Sequence, residues 1–581
     1  MRPIVTSALL AALIGVVSFA TFVPLEGFWI TDDANRYLQT ANFAAHGRLD
    51  IVHPGARLDP GGRHVPLAGH HFQRRGGRLY SFYPFAFPIL AWPGYALTGI
   101  PGLYLFPLLG FAACAALLAS ELRRRGVGPR LLPWLAPLLL CATPLVFYAL
   151  VFWEHTLATA LFTGGMWLAL HAGDQRHPGL WRRLGAGAIL GGATVLREEG
   201  YVLTAAFALG WVVSHPGRRA AVGTVLAGWV AIVLPWWMVN LRLFGNVLGL
   251  HASVYAALPP SPEGGAAAGP FADVMRSLWV YLLQWHPDRL LAIAGALPLV
   301  LAAAAGLLLP ASHRGGRWLT GALALATAGS ALLVVLTLLD PAPLIGTLHR
   351  QSLLPGIPIA ALVLIAGRRL WGGGSPVTRC LLATSAAGVA GLGLGLRTAD
   401  MGIIWGPRHF LMLVPALLAL TPDAAGVVLG AATGRGWKRL TATLIAGLVG
   451  LGLLLQAHGL GLLSARKRAT RDLAAAVAEM QPVAVVTDVY WVPEELAAIY
   501  LTVPVFDAAD PSALVEVLDG IRAGSPNALV VLALSPSFSR LRETDLPFGT
   551  EIVARLHARA PRVELLELVL YAVRPGAGPC P

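Results

Sequence analysis

Charge is what this chain has least of. Only 13% of its 581 residues are Asp, Glu, Lys or Arg, against 56% hydrophobic residues and a mean hydropathy of +0.66. That balance excludes an ordinary water-soluble globular protein and implies a polytopic membrane protein. Cysteine is also scarce: Cys114, Cys141 and Cys380 lie in apolar runs and Cys580 sits next to the end, so no disulfide framework or metal-ligand spacing is present. His53, His64, His70 and His71 lack the i, i+4 spacing or Cys partners of a specific metal site and read as solvent-exposed loop histidines. The net charge of +13 does not point to nucleic acid, because the arginines fall in short clusters between apolar runs. Such clusters are orientation signals.

Membrane-length apolar runs are present at 4–25, 103–121, 131–150, 155–172, 184–197, 200–214, 220–239, 290–310, 318–339, 352–366, 378–396, 408–422 and 440–460. About thirteen transmembrane helices are therefore expected. The N-terminal run carries only Arg2 and has no small-x-small cleavage site before Glu26, so it reads as an uncleaved first helix. Clusters such as Arg123–Arg125, Arg182–Arg183, Arg218–Arg219, Arg368–Arg369 and Arg435–Arg439 all follow even-numbered runs. By the positive-inside rule these lie in the cytoplasm with the N-terminus, and the C-terminal region lies outside an inner (plasma) membrane. One cluster, Arg466, Lys467, Arg468 and Arg471, disagrees.

From about Arg466 the composition changes. Pro482–Thr487, Val503–Phe506, Ala528–Leu534 and Val563–Ala572 are β-rich. Helix candidates alternate with them at Pro493–Tyr500 and at Pro511–Arg522, the latter with Asp510 as N-cap. A small α/β domain over 466–581 is expected, attached to a membrane domain over 1–465 whose first external loop is 26–102. The small domain contains no Gly-x-Gly-x-x-Gly or Gly-Lys-Ser/Thr element, so nucleotide binding has no support. It could dock or guide an acceptor, or simply stabilise the chain.

The rest of the chain is organised around residues 29 to 93. Asp32 and Asp33 follow the first apolar run, then come Arg36 and Tyr37, and the loop closes with Gly77-Arg78-Leu79-Tyr80-Ser81-Phe82-Tyr83-Pro84. The Asp-Asp-x-x-Arg-Tyr opening and the Gly-Arg-x-Tyr-Ser-x-Tyr-Pro closure resemble the first external loop of GT-C glycosyltransferases, membrane enzymes that use polyprenyl-phosphate sugars and include protein O-mannosyltransferases and aminoarabinose transferases. That family usually has Asp-Glu at the acidic pair and often Pro-Pro-Gly where this chain has Pro84-Phe85-Ala86. The first acid is retained.

The resemblance implies transfer of a sugar from a polyprenyl-phosphate donor to an envelope glycan, lipid or protein hydroxyl. Such a reaction needs a base at the nucleophile and cations on the leaving phosphate. Asp32 takes the base role that the family gives to the first acid. Asp33 would orient Asp32, the acceptor or a divalent metal, and solvated helix-end acids are the competing reading. Arg36, Tyr37, Tyr80 and Tyr83 belong to the same loop and are expected to line the substrate. Glu154 and His155 sit where the family often carries an acid that shapes the sugar or acceptor site. Arg197, Glu198 and Glu199 break an apolar run and would bind a sugar phosphate or form a structural ion pair. Arg350 and Arg408, with His349 and His409 beside them, are phosphate candidates by guanidinium geometry, with interfacial snorkelling as the ordinary alternative. Arg408 has added support because Trp405-Gly406-Pro407-Arg408-His409 is similar to a Gly-x-Arg-Tyr element of bacterial transferases. These motifs fix no cofactor, and whether a divalent metal sits at the acidic pair stays open. A non-catalytic flippase of lipid-linked sugars and an oligosaccharide ligase or polymerase remain as alternatives, although a transporter would more naturally show internal repeats.

Overall fold

The computed structural model describes residues 1–66, 71–172, 179–251, 270–308, 315–395, 403–525, 528–546, 550–559 and 567–574. His70 and Cys580 lie outside them. The protein is a polytopic α-helical membrane protein with a small C-terminal sheet. Among the described residues eight helices are long and apolar enough to cross a membrane: Arg2–Thr21, Ile100–Arg124, Arg219–Phe244, Arg289–Leu308, Arg317–Leu338, Pro376–Gly395, Arg408–Ala431 and Arg435–Glu479. Three further expected runs form the shorter helices His155–Ala172, Leu180–Leu196 and Glu199–Ser214. Proline divides the other two. The 131–150 run splits at Pro144 into Leu132–Cys141 and Leu145–Ala149, and the 352–366 run splits around Pro358 into Leu353–Gly356 and Ala360–Gly373.

The first helix shows why such a sequence suits lipid. Val5, Leu9, Leu13 and Val16 are exposed, whereas Ser7, Ala11, Gly15 and Ser18 form the buried face. Large apolar groups face outward and small ones let another helix approach. Ser7 Oγ donates to the Leu132 carbonyl at 2.9 Å across that contact.

The chain falls into two compact units. One, here the membrane unit, comprises Met1–Thr21, Phe106–Val239 and Leu258–Gly461; the other, the loop unit, comprises Phe22–Leu105, Asn240–Ala257 and Leu462–Pro581. Residues 22–105 thus share a unit with the C-terminal sheet, where the sequence suggested a simple division at 465/466. The reason lies in the helix Arg435–Glu479, which runs unbroken through that boundary.

In the loop unit the helices Thr31–His46 and Ala86–Thr98 pack through Phe43 against Trp92 and Tyr37 against Tyr95. Strands β1 (Phe72–Arg75) and β2 (Arg78–Ser81) form a hairpin whose two turn residues, Gly76 and Gly77, have φ of 55° and 74°. Two successive positive φ values are open to glycine at low cost and match the strand twist. The C-terminal sheet comprises β3 (Ala484–Thr487), β4 (Val505–Asp507), β5 (Val530–Leu534), β6 (Glu551–Arg559) and β7 (Glu567–Arg574), in the order β4-β3-β5-β7-β6. The first three are parallel, and β7 and β6 join antiparallel. The helix Pro511–Gly524 has Asp510 accepting from the Ala513 N–H at 2.9 Å and buries Leu514, Val517, Leu518 and Ile521.

Candidate active site

In the loop unit the site starts from a helix N-terminus without a capping side chain of its own. Ile30 is the N-cap of Thr31–His46, and Asp33 reaches back to accept from the Trp29 N–H at 3.0 Å and the Ile30 N–H at 2.9 Å. Asp33 is 1% exposed. Burial lifts its carboxyl well above the ordinary range, against the pull of the two backbone donors and the Lys467 ammonium. The Lys467 ammonium donates to the Leu25 carbonyl at 3.2 Å and the Tyr104 hydroxyl at 2.8 Å. Gly27 makes this approach feasible, because a Cβ there would lie 1.9 Å from the Lys467 carbonyl oxygen.

Asp32 precedes Asp33 by one residue, about 100° around the helix, and is only half-buried. Its carboxylate accepts a hydrogen bond from the Tyr83 hydroxyl. One turn later Arg36 donates to the Asp32 backbone carbonyl at 3.1 Å and holds its guanidinium 4.8 Å over the Tyr83 ring. Asp32, Arg36 and Tyr83 therefore come together. Tyr37 and Tyr80 serve packing: Tyr37 lies against Phe28 and Tyr95, and Tyr80 sits edge-on to Phe244 at 5.6 Å.

Four residues of this cluster were not expected to belong to it. Arg466 and Lys467 are buried, so the cluster that disagreed with the charge rule is partly internal. Arg466 bonds Glu495 and donates to the Trp29 carbonyl at 3.1 Å. Glu494 accepts from Asn35 at 3.4 Å and bonds the His71 ring. The available signal was an adjacent acid pair inside the apolar stretch Tyr490-Trp491-Val492-Pro493-Glu494-Glu495-Leu496.

The loop histidines need correction as well. His53 and His64 are each 9% exposed, with His53 Nε2 2.9 Å from the Val505 carbonyl and His64 Nδ1 3.2 Å from the Asp507 carbonyl. They dock the loop on the edge strand β4, whose outer backbone groups would otherwise be unpaired. Among the described residues no group of three or more His, Cys, Asp or Glu could hold a metal ion.

The membrane unit has its own charged network, assembled from three chain breaks. Arg197, at the end of Leu180–Leu196, donates to Glu154 at 3.1 Å and to Glu199 through Nε at 3.0 Å, with His155 Nε2 at 2.9 Å. Glu199 also meets His409 Nδ1 at 2.6 Å, and Arg408 Nε lies 3.2 Å from His409 Nε2. The Arg408 guanidinium stands 5.7 Å over the Trp153 ring, and His155 stacks on Tyr148 at 4.5 Å. Arg408 and Arg197 are close enough for their like charges to interact. Two guanidiniums held together by carboxylates and aromatic faces suit a bound anion. Glu198 is the N-cap residue of Glu199–Ser214.

Arg350 does not fit the phosphate role. It is fully buried, forms an ion pair with Asp340 and donates to the Pro343 carbonyl at 3.1 Å. The chain folds back between Asp340 and Arg350, and the guanidinium is spent on closing that turn.

No protein-family model matches this sequence, and no curated protein matches it significantly. Among solved structures the chain is similar to ArnT from Cupriavidus metallidurans bound to undecaprenyl phosphate, at 14% identity and TM-score 0.44 with 97% of each chain covered. The apo form of that protein gives 15% identity and TM-score 0.47 over the same coverage. The archaeal oligosaccharyltransferase AglB from Archaeoglobus fulgidus, in complex with an inhibitory peptide and a dolichol-phosphate, gives 12% identity and TM-score 0.47, covering 91% of this chain and 69% of that one. Likeness of this degree carries no argument about chemistry.

Proposed function

We propose that this protein is a membrane glycosyltransferase that moves a sugar from a polyprenyl-phosphate carrier to a hydroxyl of an envelope glycan, lipid or protein, with inversion at the anomeric carbon. The observation that supports this most is the separation of two adjacent aspartates: Asp33 is buried as the helix cap, while Asp32 stays half-buried with Tyr83 on its carboxylate. A half-buried aspartate oriented by a tyrosine hydroxyl suits a general base.

In the proposed step the acceptor oxygen bonds to the anomeric carbon, its proton passes to the Asp32 carboxylate, and the bond from that carbon to the phosphate oxygen breaks. The phosphate leaves with the electron pair. Within the membrane unit, Arg408, linked to Arg197 through His409 and Glu199, makes an anion site that suits a carrier phosphate, which a planar guanidinium holds through paired hydrogen bonds.

The reaction is assigned to the outer face of the plasma membrane, from the arginine clusters read by the positive-inside rule. A reporter fused after Arg439 should then read cytoplasmic, and one fused after Arg574 external. A cytoplasmic signal from the second fusion would overturn the orientation.

The decisive assay incubates the purified protein in lipid nanodiscs with a panel of radiolabelled polyprenyl-phosphate sugars and an envelope extract as acceptor. Label transferred to acceptor with inverted configuration is expected. Movement of lipid-linked sugar across a vesicle bilayer, with no transfer of label from any donor, would make the protein a flippase and overturn the proposal. Activity confined to diphosphate-linked oligosaccharides would place it among the ligases or polymerases.

A further inference from the structure

We infer that Glu494 and His71 form a positioning dyad through which the C-terminal sheet region holds Tyr83, and with it the Asp32 carboxylate, in place for proton abstraction. The inference rests on Asp32 acting as the base. All of its members belong to the loop unit.

Glu494 lies on the short helix Val492–Glu495 that follows β3, and it is 1% exposed. Its Oε1 meets His71 Nδ1 and accepts from Asn35, while Oε2 makes no hydrogen bond among the described residues. Burying a carboxylate this far is costly without a cationic partner, and His71 is the group placed to supply it. His71 is in turn fixed to the segment that carries Tyr83. Its carbonyl accepts from the Phe82 N–H at 3.0 Å, and its ring stacks on Phe82 at 5.5 Å and lies 6.1 Å from the Tyr83 ring. Phe82 and Tyr83 stack on each other at 4.2 Å, and the Tyr83 hydroxyl ends on Asp32. Gln39, from the helix that carries Asp32, donates to the Tyr83 carbonyl at 3.1 Å. The chain of contacts is thus continuous from the C-terminal region to the proposed base.

The titratable groups facing His71 are Glu494, the Asp32 carboxylate, Tyr83 and Tyr490, whose ring is 6.4 Å away. Burial disfavours the imidazolium, and Glu494, helped by Asp32, outweighs it, so the His71 pKa is raised above its ordinary value. A raised pKa extends the imidazolium to higher pH than an ordinary histidine would keep it, and the charged dyad is lost as pH rises through the raised value. Transfer activity should carry an alkaline limb that reports this loss.

Glu494→Gln tests the dyad, because the amide keeps the size and one hydrogen bond but cannot balance an imidazolium. The alkaline limb should move toward lower pH, and kcat at mildly alkaline pH should fall about tenfold to a hundredfold, the size of effect that misplacement of a reacting group produces. Donor KM should stay the same, and Glu494→Asp should restore part of the rate. A wholly structural role would instead lower activity evenly across pH. His71 itself can be titrated by NMR on protein labelled with ¹³C-histidine, its signal assigned with His71→Asn. A raised pKa in the wild type supports the dyad, and an ordinary or lowered one overturns it, whether or not Glu494→Gln folds. An unmoved pH profile in folded Glu494→Gln, with Asp32→Asn inactive, sinks the dyad and leaves the base intact. Full transfer by Asp32→Asn sinks both.

Discussion

The two units bury their charges in different ways. In the membrane unit every named acid of the network has a cationic neighbour: Glu154 and Glu199 share Arg197, and Glu199 also holds His409. Opposite charges arranged this closely stabilise one another and fix two guanidiniums in a set orientation. In the loop unit one acid of the adjacent pair is buried as a helix cap and the other is half-buried. Asp33 takes two backbone N–H groups and faces Lys467, whereas its neighbour Asp32, turned around the helix, meets a tyrosine hydroxyl. The comparison teaches that adjacency in sequence says little about equivalence. A single helical step separates a buried capping acid from a half-buried one.

The largest effect is expected at Asp32. Asp32→Asn keeps size and hydrogen bonding but cannot take the acceptor proton, and transfer should fall about 10²- to 10⁴-fold while binding of a labelled donor persists. Glu154→Gln in the membrane unit should fall short of that. Equal losses would erase the distinction between the two clusters.

Next comes Arg408→Lys, which keeps charge and loses the planar fork. If the guanidinium holds a carrier phosphate, donor affinity and transfer should fall about tenfold to a hundredfold, the worth of one charge-assisted hydrogen bond of about 1.5–3 kcal/mol. Wild-type turnover and donor affinity in a folded Lys variant would leave Arg408 as an interfacial anchor.

Asp33→Asn should change the rate less than Asp32→Asn and act mainly on stability. Losing part of a helix cap costs about 0.5–2 kcal/mol, read as a lower thermal midpoint in detergent. Its pH dependence has a defined sign. Because burial raises the Asp33 pKa in the folded state, the protonated carboxyl contributes stability at pH below the ordinary carboxylate value, and that contribution is lost as pH rises through the folded value. Asn cannot titrate, so the fall of the midpoint with rising pH should flatten. A steeper fall would mean the carboxylate is held charged by Lys467.

The smallest effect on transfer is expected from Arg350. Arg350→Met should destabilise the membrane unit by about 3–5 kcal/mol, since Asp340 loses its cationic partner, and pairing it with Asp340→Leu should recover much of that. Donor affinity should not move in the double variant. A selective loss of donor binding there would return Arg350 to the phosphate.

Much of this architecture was legible from composition and pattern. Low charge and repeated apolar runs identify a polytopic membrane protein, because a chain in lipid must bury its backbone groups in helices. The parallel strands β3 and β5 stand out as unbroken apolar runs, as fully buried strands do. Strand β6 does not, because Ile552, Val553 and Leu556 alternate irregularly with Arg555, His557 and Arg559 on an exposed edge. Asp510 announced its helix start, since capping is a local interaction.

What the sequence by itself determined was therefore whatever rests on near neighbours: apolar length, strand runs, a cap, and the meeting of Asp32 with Arg36 one helical turn apart. Only the tertiary structure decided which of the two aspartates would be buried, that Arg466, Lys467, Glu494 and Glu495 would join them, and that Arg350 would be absorbed by Asp340. Those pairings join residues brought together by the fold, some of them more than 400 positions apart. Burial, which sets the energy of a charge, belongs to the whole fold and to no segment of the chain.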